Sequence, residues 1–520
     1  MNNKVLFGQD LDKVQNGMYI VYKAVTSTIG AAGKNCMFRD WTTEPVVTND
    51  GYTIAEMIKL EDPSERIGAD FIKQASRRQN SEAGDGTTSV IAITYSMIEN
   101  GIKKIKEGAN AMKLKREIDA CVNNVVDKLK KSAKKITDDK GLFDVANLSM
   151  ENPEMARLVV DSINSAGENG RVVVQESNLV YTTTEEVKGI EFARGYITPY
   201  MITNAQKMTS ELEDVHVLIV EKEFNLLQQL FPVIETLKAK GIDRLFVVCK
   251  GMIGEALGNV IANIQKGAFL VVAVQASEDI DIMDDIALLT GGQKINEVSI
   301  PEGLSPAHIN MLGKAKRVIV HKDKTIIDSG YGNKAEIKNR VSALKAEIKK
   351  KESVGEPVPY LRQRVANLDG KVVYIKVGAP TQQEMKYLKL KVDDAVASAS
   401  LAKQGGVVVG GGRALYDCGT AKPKNDGEEV VFAACQNPIR KIIENAKLEP
   451  DKILKSLDVG QAFNVLTEKP VKDFIKEGIV DPVDIEMWAL RNAASIAGMY
   501  LTTYSAIVPI VEKKTCQHDK

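Results

Sequence analysis

Residues 46–90 read VVTNDGYTIAEMIKLEDPSERIGADFIKQASRRQNSEAGDGTTSV, and the last eleven, NSEAGDGTTSV (80–90), decide how the rest is understood. One aspartate, Asp85, stands between Gly84 and Gly86 and is followed by Thr87, Thr88 and Ser89. The flanking segments RIGADFIKQASRRQNSEAG and TTSVIAITYSMIENGIKKIKEG both carry apolar residues at helical spacing. The glycine turn therefore joins two helices and lies at the amino end of the second, where backbone N–H groups have no intrahelical acceptor. Glycines admit close approach to the backbone, and a helix amino end with hydroxyls behind it suits a phosphate. Asp85 would repel an anion, unless a divalent cation lies between them. Mg²⁺ is commonly held in that way, by one or two carboxylates together with phosphate oxygens. The stretch reads as a Mg-nucleotide phosphate site. On these eleven residues alone it reads more readily as a plain helix cap, with Asp85 or Thr87 capping the helix that follows. It is not a GxxxxGK[ST] loop, so no phosphate-binding lysine is implied. Just upstream, VVTNDGYTIAEMI reads as strand, tight Asn49-Asp50-Gly51 turn and strand.

Working outward, the first 130 residues are mainly helical, beginning with LDKVQNGMYIVYKAVTSTIG, which stops at Gly30. From about residue 190 the texture changes. VHVLIVEK, RLFVVCK and AFLVVAVQA read as strands, alternating with LLQQLFPVIETLKAKG and IGEALGNVIANIQKG as helices, an α/β pattern. NKAEIKNRVSALKAEIKKKESVGEPVPYLRQRVANL reads as a solvated amphipathic helix pair. After VVYIKVGAPTQQE the chain is helical again. Helical flanks around a central α/β block imply an inserted domain, left near residue 131 and re-entered near residue 404. Gly189 and Gly370 are candidate hinges between the parts. Two further segments carry chemistry. GGVVVGGGRAL (405–415) surrounds an apolar run with glycines, and Asp394 in KVDDAVASAS begins a small-residue helix as a water-orienting base or a first-turn acid.

The chain has 520 residues, enough for two to four domains, with 69 Lys+Arg balanced by 69 Asp+Glu. That balance argues against a nucleic-acid-coating surface. No apolar run is long enough for a membrane span, and no CxxC spacing suggests zinc or thiol exchange. The six cysteines are scattered and the start, MNNKVLFGQDLDK, has no apolar signal core. The expectation is a cytoplasmic protein with reduced thiols. Four well-separated histidines make His-based metal or triad chemistry a poor reading.

Taken together and in order, these segments resemble the group I chaperonins, the GroEL and Hsp60 family, over nearly the whole chain. The resemblance is carried by TSTIGAAGKN, by 46–90 with its Ala-Gly-Asp-Gly-Thr-Thr, and by EFARGYITPYMI, IALLTGG and AKRVIV. VDDAVASASLAKQGGVVVGGGRAL and IVDPVDIEMWALRNAASIAGMYLTT complete the set. It implies a multi-domain α+β chaperonin fold. A mainly helical equatorial domain (1–131 and 404–520) would join a small intermediate hinge domain (132–188 and 371–403) and an inserted α/β apical domain (189–370). It further implies an ATPase that folds other proteins, working with ATP, Mg²⁺ and optionally K⁺. The partners would be copies of itself in a seven-membered ring, single or double, unfolded polypeptides and a GroES-like cochaperonin, with neither nucleic acid nor membrane.

By the same resemblance Asp85 is the Mg²⁺ ligand, and Gly86, Thr87, Thr88 and Ser89 cradle phosphate. Thr28, Ile29 and Gly30 line the phosphate path. Asp50 and Gly51 lie near the terminal phosphate. Asp394 orients the attacking water, with Asp50 beside it in catalysis. Gly411 packs near the nucleoside, Asp481 takes the ribose hydroxyls, and Asn464 and Val465 flank the adenine. Clients would meet Tyr196, Tyr200, Met201, Phe231, Ile234, Leu257, Ile261 and Ala262. Read blind, most of those eight are ordinary core residues.

The chain also departs from the family pattern. Ala31-Ala32 replaces Pro-Lys, Asn49 replaces a lysine, and Gln382 replaces a glutamate that pairs with an arginine, here Arg194, of the next subunit. The apical stretch VQASEDIDIMDDIALL is short, the tail VEKKTCQHDK lacks Gly-Met repeats, and the spacing from Asn464 to Asp481 differs. Such changes fit a divergent copy, viral or accessory. They also leave open a ring-shaped holdase or assembly scaffold with little ATP turnover. A small-molecule kinase using the same turn has no visible acceptor pocket.

Overall fold

The computed structural model describes residues 3–7, 11–39, 45–136, 138–150, 152–167, 170–177, 179–204, 208–276, 280–353 and 358–509. The tail from residue 510 onward lies outside the described residues, as do three positions of the short apical stretch. The chain separates into two compact units: residues 1–161, 176–182 and 377–520 form one, and residues 162–175 and 183–376 form the other.

Along the chain come β1 (Asn3–Phe7), α1 (Leu11–Thr26), β2 (Cys36–Phe38), β3 (Val46–Thr48), α2 (Gly51–Met57), α3 (Pro63–Ala83), α4 (Thr87–Lys106), α5 (Ala111–Ser132), α6 (Asp139–Met150) and α7 (Pro153–Ala166). Then follow β4 (Arg171–Glu176), β5 (Thr183–Phe192), β6 (Ser210–Phe224), α8 (Phe231–Ala239), β7 (Arg244–Met252), α9 (Gly254–Gln265), β8 (Leu270–Gln275), α10 (Ile280–Thr290), β9 (Lys294–Asn296), β10 (Gly313–Val320), β11 (Thr325–Gly330), α11 (Lys334–Ser353), α12 (Pro359–Asp369) and β12 (Lys371–Val377). The last leg holds α13 (Gln382–Gly405), β13 (Val407–Val409), α14 (Arg413–Cys418), α15 (Asp426–Asn445), α16 (Pro450–Ser456), β14 (Ala462–Asn464), β15 (Lys469–Val471), β16 (Val480–Pro482), α17 (Val483–Leu501) and β17 (Ser505–Pro509).

The first unit is built around α4. Every residue from Val90 to Ile98 is buried, as expected of a helix whose sequence is apolar on all sides. Helices α1, α3, α15 and α17 pack around it. Helices α1 and α3 cross almost backbone to backbone: a Cβ on Gly17 would lie 1.9 Å from the Glu65 carbonyl oxygen, and one on Gly68 would lie 1.8 Å from that of Val14. Helix α3 starts with Asp62 as N-cap and Pro63 in its first turn, and stops at Gly84 in the left-handed conformation, φ 69°.

The Asn-Asp-Gly segment corrects the hairpin expected from sequence. Strand β3 ends at Thr48 and pairs with β2, not with the residues after the turn. The Asp50 carboxylate instead accepts N–H bonds from Tyr52 (3.3 Å) and Thr53 (2.8 Å), and thereby caps α2. An aspartate before a glycine serves either purpose, and here the helix wins because β3 already has its partner upstream.

The second unit carries a nine-stranded sheet in the order β4-β12-β5-β11-β10-β6-β7-β8, with β9 beside β6. The β6, β7 and β8 ladders are parallel, joined by α8 and α9 as crossovers. This half is the α/β pattern the sequence suggests. β9 also runs parallel to β6, whereas the pairs β6 with β10, β10 with β11, β11 with β5 and β5 with β12 are antiparallel. Gly189 is not in a free connection. It pairs with Asp328 inside the β5–β11 ladder, and a Cβ there would lie 1.8 Å from the Ile327 carbonyl oxygen. The charged helix pair is anchored rather than merely solvated: Arg364 of α12 grips Asp285 of α10 through two bonds of 2.6 and 2.9 Å, both side chains buried. Among the described residues no helix is long and apolar enough to cross a membrane.

The helix crossing generates a prediction. Gly68→Ala must part α1 from α3 and should cost about 1–3 kcal/mol. Gly258→Ala in α9, where a Cβ meets nothing within 4 Å, should cost nothing. Calorimetric unfolding of the two variants checks this; equal midpoints would contradict it.

Candidate functional site

The site lies in the first unit, at the amino end of α4. Both glycines of the Gly84-Asp85-Gly86 turn are left-handed, φ 69° and 77°. Neither has room for a side chain: a Cβ on Gly84 would meet Ala397 Cβ at 2.6 Å, and one on Gly86 would meet Ile485 Cγ2 at 2.5 Å. The turn is thus wedged between α13 and α17. Gly86 is the N-cap of α4 and no side chain caps that helix, so the capping reading of Asp85 or Thr87 fails. By helix geometry the N–H groups of Thr87, Thr88 and Ser89 open outward from the first turn.

The Asp85 carboxylate, at the head of that turn, is held at both oxygens. Its Oδ1 accepts the Gly86 N–H at 2.5 Å and its Oδ2 accepts the Ser398 hydroxyl. Gln79, fully buried, donates to the Asp85 carbonyl at 2.9 Å and to that of Ile485 at 3.2 Å, while Asn492 donates to Gln79 at 3.1 Å. Gly51 is buried against Thr88, where a Cβ would stand 2.2 Å from Thr88 Oγ1, and this brings Asp50 to the same end of α4. Asp394, on α13, completes a group of three carboxylates. Burial, and then the charges of Asp85 and Asp50, push the Asp394 carboxyl well above the ordinary aspartate range, while Lys391 pulls weakly the other way. Burial likewise raises Asp85, opposed by its hydrogen bonds from Ser398 and Gly86.

A second cluster faces the same turn. Asp481, on β16, accepts the Gly412 N–H at 3.3 Å and stands within range of the Asp85 charge. Gly411 has φ +66° and open space where a side chain would be. Behind Asp481 lies Glu486, a buried acid unmarked by any motif. Burial and the adjoining Asp481 charge hold its carboxyl well above its ordinary value. A neutral Glu486 donating to Asp481 resolves the repulsion with one shared proton.

The remaining candidates are placed less centrally. Thr28, Ile29 and Gly30 form a turn beyond α1, fastened to α15 by Asn445, which donates to the Thr26 and Ile29 carbonyls at 2.9 and 3.0 Å. Asn464 spends its side chain on its own turn, accepting from the Leu466 and Thr467 N–H groups, and Val465 packs on the Ile439, Ile443 and Leu454 cluster.

Among the described residues no three His, Cys, Asp or Glu side chains are arranged to hold a metal ion by themselves. Asp85 offers one carboxylate beside hydroxyls and helix N–H groups. That donor set suits a hard cation that brings its other ligands with it, as Mg²⁺ does on a nucleotide, and does not suit a protein-caged metal.

In the second unit, α8 and α9 border a groove of about 140 Å³ lined by residues including Leu227, Phe231, Ile234, Val260, Phe269 and Val271. Tyr200 is 58% exposed and Phe231 44%. Tyr196, Ile234 and Leu257 pack partly on the core, and Ile261 and Ala262 are half-buried. Met201 corrects the sequence reading. It is fully buried, and its sulfur faces the Ala273 N–H at 3.2 Å, so it offers no client contact.

The chain thus combines a helical unit bearing the Gly84-Asp85-Gly86 turn with an inserted α/β unit bearing an apolar groove. The sequence profile of the TCP-1/cpn60 chaperonin family matches residues 21–230 and 225–509, and the chain belongs to that family. Two crystal structures of the chaperonin gp146 from the bacteriophage EL 2 (Pseudomonas aeruginosa), solved in the presence of ATP-BeFx, share the fold. They superimpose with TM-scores of 0.72 and 0.76 at 18% sequence identity, covering 98% of this chain and 99% of that one. This chain is a divergent chaperonin.

Glu486 titrates in a calculable direction. With its folded pKa raised above the ordinary 4.5, its stabilising share is complete below that value and is lost as pH rises through the folded pKa. Glu486→Gln keeps a donor for Asp481 and removes the titration. Its stability should match wild type near about pH 4 and exceed it increasingly toward neutral pH. A pH-independent difference in denaturation midpoint would contradict the shared-proton pair.

Proposed function

We propose that this chain is the subunit of a ring-shaped, ATP-hydrolysing chaperone that captures non-native polypeptides and promotes their folding. The observation that carries the reading is the convergence of Asp50, Asp85 and Asp394 on the uncapped amino end of α4, with Asp481 and the open Gly411 turn beside it. Phosphoryl transfer needs positioning and charge neutralisation more than covalent help, and these residues supply the protein's share.

On this reading the N–H groups and hydroxyls of Thr87, Thr88 and Ser89 bind phosphate oxygens, while Thr28, Ile29 and Gly30 border their path. Asp481 takes the ribose hydroxyls, steadied by Gly412 and Glu486, and Gly411 leaves room for the nucleoside. Asn464 and Val465 flank the base. Mg²⁺ held by Asp85 and the phosphates would neutralise charge at the transferring group. Asp394 orients water and accepts its proton, a task its raised pKa suits. Asp50, holding α2 in place, keeps the second wall of the site. The equatorial (1–131, 404–520), intermediate (132–188, 371–403) and apical (189–370) division then places Asp394 on the intermediate part, so that movement of that part completes the site. Clients would bind the apolar groove at Phe231, Ile234, Leu257, Ile261 and Ala262, with Tyr196 and Tyr200 at its border.

The holdase reading is supported by Ala31, Ala32 and Asn49, which stand where the family carries basic groups, and by Gln382, a neutral residue where the family carries the glutamate that pairs with the next subunit. Steady-state hydrolysis separates the two. Asp394→Asn should lower kcat by about 100-fold or more while leaving nucleotide affinity within a few-fold. Because the folded pKa is raised, wild-type turnover should fall with decreasing pH well above the ordinary aspartate range, and that limb should vanish in the variant. Turnover unchanged by the substitution would sink the foldase reading.

A further inference from the structure

Ser398 does something the carboxylates and glycine turns do not account for. It is 2% exposed, yet its hydroxyl donates across to Asp85 Oδ2 on another element. A buried helical serine more often bonds the carbonyl one turn back on its own helix. Ser398 lies four residues after Asp394, so both project from the same face of α13. Ala397, between them, sits against Gly84 so closely that a Cβ on Gly84 would come within 2.6 Å. Helix α13 therefore touches the phosphate turn at two adjoining points, an apolar contact at Gly84 and a hydrogen bond at Asp85.

We propose that Ser398 is a positioning residue which orients the Asp85 carboxylate for a divalent cation and, through the same bond, sets Asp394 in register with it. The inference rests on reading Asp85 as the cation's ligand and Asp394 as the water-orienting base. A carboxylate oxygen has lone pairs for a hydroxyl donor and a cation together, so Ser398 need not withdraw when the cation enters. The Gly86 N–H fixes one oxygen and Ser398 the other, leaving the group no free rotation. A neutral hydroxyl does this without cancelling the charge the cation needs, as a lysine would. Outer partners of ligating carboxylates typically weigh about 10–100-fold in metal affinity or activity. Metal affinity and turnover are thereby linked through one hydroxyl.

The test measures, on the full chain, how much Mg²⁺ tightens ADP binding, as the ratio of the dissociation constants in EDTA and in Mg²⁺. Wild type, Ser398→Ala and Asp85→Asn are compared. The inference expects Ser398→Ala to shrink that ratio about tenfold or more with the metal-free affinity unchanged, and kcat to fall alongside it. If Asp85→Asn abolishes the tightening and Ser398→Ala preserves it, the inference is overturned while Asp85 stands as ligand. A loss of metal-free affinity equal to the loss with Mg²⁺ would also overturn it, because Ser398 would then be only structural. Tightening unchanged in Asp85→Asn overturns both the inference and the reading beneath it.

Discussion

Like charge confined at one helix end governs this molecule. Asp50, Asp85 and Asp394 meet at the amino terminus of α4, where two left-handed glycines let α13 and α17 close tightly on the turn. A like-charged pair a few ångströms apart in such surroundings costs on the order of 2–4 kcal/mol. The protein meets that cost piecemeal. Asp50 is neutralised in part by the α2 amino end, Asp85 by Gly86 and Ser398, and the second acidic pair by a proton held on Glu486. Burial and the neighbouring Asp85 and Asp50 charges, opposed by Lys391, leave the Asp394 carboxyl well above the ordinary aspartate range. The arrangement is under tension that a cation and a proton acceptor's task would both relieve. Sites of this kind trade stability for function.

The scaffold exists to hold that tension in place. Helix α4 is buried on every side from Val90 to Ile98, and Gln79 of α3 and Asn492 of α17 tie those two helices together behind the Asp85 turn. The glycine crossing of α1 and α3 permits the close packing this requires. In the other unit the problem is the opposite one. There, the largely buried strands β7 and β8 support two helices whose outer apolar residues are left partly uncovered, with Phe231 the most exposed of the apolar residues lining the groove.

Much of this was legible in the sequence. The all-round apolar run of α4, the Gly-Asp-Gly turn and the β6 to β8 strands announce themselves through periodicity and punctuation. What was not legible depends on tertiary partners. Asn-Asp-Gly suits a hairpin and a helix cap equally, and only the pairing of β2 with β3 decides between them. Met201 and Tyr200 are sequence neighbours of similar character, yet one is core and the other surface, because a short turn of 3₁₀ helix rotates them apart. The antiparallel half of the large sheet has no crossover helices to mark it as different in kind. Gln79, Ser398 and Glu486 sit in ordinary helical patterns. Glu486 is one of three charged residues in the otherwise apolar α17, with Asp484 and Arg491, and nothing in the sequence names Asp481 as its partner.

Under the proposed function, hydrolysis at this acidic centre would drive the folding and release of clients. The most direct measurement is the ATP-dependent refolding of a chemically denatured client, with and without added cochaperonin, by wild type and by Asp394→Asn. The account predicts that wild type returns active client in at least one of those conditions and that the variant binds client without returning it. Equal recovery from both proteins would contradict it.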